Sequence, residues 1–183
     1  VTSPHKHSEF STPGELLKLV QELLDLSEVT PVGFKLCIAH PRASVAIIKA
    51  MVQTELYAYF ITVDGSEGGT GAAPVEFTDH LGSPLRDAIV FVDNALIGAG
   101  LRDRVKVAAS GKIVSAYDIV RVCAIGADWC NMARPLMFSI GCIQARDCAS
   151  RHCPTGVATM DPNRYRVIDV KDRAERVYNF QKN

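Results

Sequence analysis

The chain has 183 residues, 48% of them hydrophobic and 22% charged, a globular composition that excludes wholesale disorder. Its 20 basic residues balance 20 acidic ones, which removes the electrostatic case for nucleic acid or an anionic membrane as partner.

The polar opening VTSPHKHSEF lacks the apolar core of a signal peptide. No apolar run in the chain approaches the ~20 residues of a membrane span. Thr12 as N-cap, Pro13 at the first helical position and Glu15 three residues after the cap predict a helix start. Leu16, Leu17, Val20, Leu23, Leu24 and Leu26 continue it at helical spacing. Pro31 ends that helix, and residues 32–38 read as a buried strand. Residues 44–54 read as a helix with Val45, Ile48 and Val52 on one side. Residues 57–63 form a second predicted strand, which runs into Asp64 and the loop GSEGGTGAAP. A helix over about 84–99 closes at Gly100. Residues 105–109 are a third strand, ending in Ser110, Gly111 and Lys112. Ser115 caps a helix over 115–124 that Gly126 stops. A short fourth strand over 127–132 leads into a helix to about Cys142, and a charged helix is expected from Asp169 onward. Alternating strands and helices predict an α/β fold with a parallel sheet.

Ligands of such folds gather at the carboxyl ends of the strands. That rule selects Lys35 and the loops after the second, third and fourth strands. Gly65, Gly68, Gly69 and Gly71 allow a backbone to approach a ligand closely, while Asp64 and Glu67 add carboxylates. The loop is either a ligand surface or merely mobile, and it lacks the Gly-Lys-Ser/Thr ending of a phosphate loop. Ser110, Gly111 and Lys112, with Ala133 and Arg134, place small residues and cations in consecutive loops, a pattern suited to one phosphate. Lys35 alternates with Phe34 and Leu36. It points into a cavity if both sheet faces are covered and into water if its strand is an edge.

Six cysteines are few for a secreted disulfide scaffold of this length, and an intracellular, cytoplasmic protein is expected. Cys37, Cys123 and Cys130 read as buried thiols. Cys142, Cys148 and Cys153, with Pro154 after the last, read either as iron–sulfur ligands or as three unconnected buried or disulfide-bonded cysteines. Three thiolates suit a three-iron cluster, and Cys130 is an open candidate for a fourth ligand.

These segments together resemble the FMN-binding synthase domain of glutamate synthase, in particular the stand-alone glutamate synthase-like proteins. The stretches that carry the resemblance are GFKLCIAHP, VDGSEGGTGAAPVEF, NALIGAGLRDRVKVAASGKI, GADWCNMARPLMFSIGCIQARDC and CPTGVATMDP. The resemblance implies an FMN-dependent TIM-type (β/α)8 barrel beside a [3Fe–4S] cluster, active in glutamate biosynthesis. Electrons from a ferredoxin or a reductase subunit would reach FMN through the cluster, and 2-oxoglutarate with ammonia would become glutamate. By the same resemblance Lys35 and Glu67 are the catalytic candidates, Lys35 beside flavin and 2-oxo acid. Gly68, Gly69 and Thr70 would line the flavin, and Ser110, Gly111, Lys112, Ala133 and Arg134 would hold its phosphate. Cys142, Cys148 and Cys153 would ligate the cluster. Pro135 stands where relatives tend to have glycine and Met160 where they tend to have glutamine, which exposes the phosphate loop or cluster surroundings to disturbance.

A complete barrel takes ~250 residues. Residues 1–183 are therefore expected to be the C-terminal half of such a domain, with about four strands and the cysteine motif at 142–153. The glutamine-hydrolysing domain and the earlier strands have no counterpart in the sequence, so the chain is expected to be a fragment, a split subunit completed by a partner chain, or one half of a homo-oligomer that completes the barrel. Two alternatives stand beside the glutamate synthase-like oxidoreductase. One is a non-catalytic cofactor-binding half-barrel that needs a partner, and the other an FMN oxidoreductase acting on a different amino compound.

Overall fold

The computed structural model describes residues 7–182 apart from 29, 70–72, 74, 75 and 149. Strands β1 (Phe34–Cys37), β2 (Phe60–Asp64), β3 (Lys106–Ser110) and β4 (Trp129–Asn131) form one sheet in the order β1-β2-β3-β4, every pair parallel. Helices α1 (Pro13–Ser27), α2 (Pro41–Thr54), α3 (Leu85–Gly98), α4 (Ala116–Ala124) and α5 (Ala133–Ser139) alternate with the strands. A short α6 (Pro162–Tyr165) and α7 (Val170–Lys182) follow. The α/β order read from the sequence is the order observed. Among the described residues no helix is long and apolar enough to cross a membrane.

The register sorts the two sheet faces. Cys37, Asp64, Ser110 and Asn131 form one row across the four strands, and Lys35, Thr62, Ala108 and Trp129 form the row two residues earlier. Strand alternation puts both rows on one face. The intervening row of Leu36, Val63, Ala109 and Cys130 faces the helices and joins the core, with Ile61 and Val107 beyond it. Val63, Val107, Ile89 and Leu96 are wholly buried there, each contributing roughly 1.5–3 kcal/mol of apolar transfer. On the other face Phe60 meets Trp129 edge-on at 5.7 Å between ring centroids.

Local chemistry explains the element boundaries. Thr12 accepts from the Glu15 N–H while the Glu15 side chain accepts from the Thr12 N–H, a complete capping box for α1. Ser115 and Asp118 do the same for α4. Several expectations need correction. The buried face of α1 ends at Val20, and Leu26 is 76% exposed. Helix α2 begins at Pro41, earlier than expected, because His40 Nδ1 accepts from the Arg42 N–H at its start. Its core face runs through Ser44, Ile48 and Met51, and Val45 and Val52 point away. Helix α5 stops at Ser139, before Cys142, because Gly141 turns the chain at φ +102°. Cys37 is exposed at the end of an edge strand rather than buried.

Candidate functional site

The carboxyl ends of the strands and the loops behind them enclose a cavity of about 110 Å³. Lys35 from β1, Asp64 from β2, Gly68 and Gly69 from the glycine loop, Ser110, Gly111, Lys112 and Ile113 after β3, and Asn131, Ala133 and Arg134 after β4 line it. All of the residues assigned by the resemblance to catalysis or to flavin and phosphate contacts therefore meet here, with two exceptions. Thr70 lies outside the described residues. Glu67 does not line the cavity, and both of its carboxylate oxygens accept from the Leu85 N–H at 3.1 Å. The reason is local: Pro84 is the N-cap of α3 and makes no side-chain capping bond. Glu67 supplies the missing acceptor from the glycine loop, as a carboxylate at a helix N-terminus should.

Backbone packing shapes the cavity floor. The Gly65 N–H donates to the Ser110 carbonyl at 2.9 Å, tying the loop after β2 to β3. Gly111 sits at φ +131°, and a Cβ there would come within 3.1 Å of the Gly65 nitrogen. A larger residue at 111 meets both obstacles at once. Three cations, Lys35, Lys112 and Arg134, face a single carboxylate, Asp64, so the lining favours an anion.

Each cation is held by a protein acceptor. Lys35 Nζ lies 2.8 Å from Asp64 Oδ2, and Asp64 Oδ1 is buried with no partner among the described residues. Lys35 itself is half exposed, because β1 is a sheet edge. Lys112 donates to Asp79 Oδ1 at 2.6 Å and holds the Asp79 carboxyl below its ordinary range. Arg134 donates to the Gly69 carbonyl at 3.3 Å. The thiol of Cys37 is pushed up, first by burial of the sulfur and then by the charge of Asp64. Asp64 as the partner of Lys35, Asp79 as the partner of Lys112, and Asn131 and Ile113 as lining were not selected from the sequence. Asp64 and Asn131 were within reach of the carboxyl-end rule, since they share a row with Ser110. Asp79 carries no such signal.

A second cavity, of about 20 Å³, brings Cys142, Cys148 and Cys153 together. Met137, Ile143, Val157 and Ala158 supply apolar wall. Cys142 Sγ accepts from the Gln144 N–H at 3.4 Å, and Cys153 Sγ lies 3.4 Å from the Thr155 hydroxyl. Burial opposes ionisation of Cys153, but the Thr155 hydroxyl and the N–H groups of Ala158, Thr155 and Val157 outweigh it and lower the thiol. The loop holds Gln144, Arg146 and Arg151 at positive φ, strain of the kind that collects at ligand sites. The donor set fits a soft, thiolate-bound metal group. The volume does not: it admits about one water, and among the described residues no three ligating side chains are close enough to hold a metal. Binding a multi-iron cluster requires the loop to spread. Cys130, the open candidate for a fourth ligand, instead meets Cys123 at 4.0 Å.

The two departures noted in the sequence leave both cavities intact. Pro135 is the third residue of α5, where a helix N–H has no intrahelical acceptor to lose. Met160 is 81% exposed and lines neither cavity.

The family described as the conserved region in glutamate synthase matches residues 1–183. The glutamate synthase large subunit-like protein YerD of Bacillus subtilis is 41% identical over 98% of this chain and 34% of its own length. The archaeal glutamate synthase [NADPH] of Methanocaldococcus jannaschii is 33% identical over 98% of this chain and 35% of its own. The chloroplastic ferredoxin-dependent glutamate synthase 2 of Arabidopsis thaliana is 32% identical over 86% of this chain and 9% of its own. The chain thus spans about a third of the length of the first two relatives. With the whole chain matched, it belongs to the glutamate synthase family, within that family's conserved region.

Proposed function

We propose that this chain is the C-terminal half of an FMN-binding (β/α)8 barrel and contributes the phosphate and cluster sites of a glutamate synthase-like oxidoreductase. One observation carries the reading: residues from four separate strand ends converge on one cation-rich cavity. When bound, FMN would supply the reducing equivalents for the imine of 2-oxoglutarate and ammonia, and a [3Fe–4S] cluster would supply electrons. The residues of this chain bind and orient. The backbone around Gly111 and the cations of Lys112 and Arg134 would hold the phosphate. Lys35, steadied by Asp64, presents an ammonium toward the cavity, where it would bind the 2-oxo acid carboxylate or stabilise charge on the reduced ring. Glu67 fixes the glycine loop by capping α3. Cys142, Cys148 and Cys153 would ligate the cluster once the loop spreads.

A second reading rests on the sheet. Strands β1 and β4 are both edges, and open edges call for further strands. On that reading the chain binds cofactor but turns over only with a partner chain or the rest of a longer protein. Anaerobic reconstitution with FMN, iron and sulfide tests both. Flavin with three irons per chain, and glutamate formed from 2-oxoglutarate, ammonia and a chemical reductant, is the outcome for the oxidoreductase. Loaded protein without glutamate favours the partner-dependent module. A colourless protein that takes up neither group sinks both readings for this chain.

A further inference from the structure

We propose that Cys123 and Cys130 are a redox-active dithiol, which a low-molecular-weight disulfide converts to a disulfide bond between α4 and β4. The two sulfurs lie 4.0 Å apart, in van der Waals contact, although Cys123 is on a helix and Cys130 on the neighbouring strand. Helix α4 packs directly on β4, and the turn between them, with Gly126 at φ +124°, brings the chain back so that the two thiols face each other. A bonded pair needs ~2.05 Å between sulfurs, so closure draws them together by about half their separation without crossing the core. Both residues are half-buried and neither lines the cavity of Cys142, Cys148 and Cys153. The pair is therefore free of that ligand set, and the inference does not depend on the function proposed above.

The chemistry closes without further reagents. Cys123, as thiolate, attacks one sulfur of the small disulfide, whose S–S bond breaks and releases one thiol. The Cys130 thiol then loses its proton and attacks the Cys123 sulfur, and the second small thiol leaves. Two protein thiols have lost two electrons and two protons, and the small disulfide has been reduced to two thiols. Burial, and then Cys123 beside it, push the Cys130 thiol up to about 11, and the same two exchanges run with the roles of the two thiols reversed. The bond would tie α4 to the strand residue next to Asn131, which lines the phosphate-type cavity.

The sequence makes the test direct. Clostripain, which cleaves after arginine even before proline, cuts after Arg121 and Arg134, and the peptide 122–134 carries Cys123 and Cys130 and no other cysteine. The reduced full chain is incubated with oxidised glutathione, trapped with N-ethylmaleimide and digested. The expected product is this peptide, unlabelled and lighter by two hydrogens, and restored by dithiothreitol. Fluorescence of Trp129, the chain's one tryptophan and the neighbour of Cys130, should change and recover in step. In Cys130→Ser, glutathione should stay attached to Cys123. Recovery of the peptide with both cysteines labelled by maleimide, while oxidised glutathione has modified other cysteines, overturns the proposal. So does a peptide that carries glutathione on both sulfurs.

Discussion

Lys35 Nζ stands 2.8 Å from Asp64 Oδ2 across the β1–β2 pair, while Asp64 Oδ1 is buried beside Gly68 without a partner among the described residues. An ion pair with so exposed a lysine contributes ~0–1 kcal/mol, whereas an unsatisfied buried acceptor costs ~1–3 kcal/mol. The ion pair's stabilisation therefore does not offset the unpartnered Oδ1. Asp64→Asn keeps the shape and removes the charge. Stability should change by no more than ~1 kcal/mol. Because the Asp64 carboxylate raises the Cys37 thiol, the midpoint of Cys37 alkylation against pH should move down. An unchanged or higher midpoint refutes the assigned contact.

Glu67 offers a choice between capping and chemistry that stability measurements decide. As the acceptor for the Leu85 N–H at the start of α3, Glu67→Ala should lower unfolding stability by ~1 kcal/mol. Glu67→Gln retains an acceptor oxygen and should lose less. If Glu67→Ala leaves chemical denaturation unmoved, the cap is not formed.

The Asp118 carboxyl is held below its ordinary value, first by the Ser115 N–H, with partial burial opposing and the Ser115 hydroxyl and Val114 N–H assisting. A depressed carboxylate stabilises the fold above its unfolded value of ~3.9 and loses that contribution as pH falls through the folded value. Asp118→Asn should therefore narrow the stability gap to wild type as the solution is acidified below about pH 4. A constant gap between neutral and acid pH contradicts this capping box.

Cluster assembly separates the two sets of cysteines. Cys148→Ser removes one of three thiols around the small cavity and should abolish iron retention after reconstitution, whereas Cys37→Ser, at the end of β1, should not. Equal iron content in the two variants refutes the ligand assignment.

Much of this arrangement was legible in the sequence because it follows from short-range rules. Thr12-Pro13 with Glu15, and Ser115 with Asp118, announce helix starts through neighbours three residues apart. The strand-end rule points to Lys35, Ser110 and Arg134 from the sequence, and all three line the cation-rich cavity. What escaped depends on long-range partners. Glu67 capping α3 spans 18 residues, and Lys112 meeting Asp79 spans 33. No local pattern encodes either meeting. The edge position of β1, which leaves Lys35 half exposed, is likewise a property of sheet order and not of the strand's own residues.

Arg102 is the furthest of these from any motif, and it makes the firmest structural prediction. Its guanidinium donates to Asp93 Oδ1 at 2.5 Å, to the Gly126 carbonyl at 2.9 Å and to the Val105 carbonyl at 3.2 Å, and it pairs with Asp128 Oδ2 at 2.9 Å. Asp128 in turn accepts from the Val107 N–H at 2.7 Å. One side chain thus joins α3, the entry to β3 and the turn before β4, at the end of the sheet away from the cation-rich cavity. Arg102→Met should destabilise the fold by roughly 2–3 kcal/mol, since it removes the guanidinium from two partly buried carboxylates, with exposure of about a fifth of the side chain, and the Val107 N–H and Lys106 that remain on Asp128, trimming the loss. Arg102→Lys should recover only part of it, because an ammonium cannot reach this set of acceptors in one plane. Anion affinity at the other end of the strands should be unchanged in the fraction that remains folded. Weaker binding in that folded fraction would show that the clamp also sets the geometry of the site.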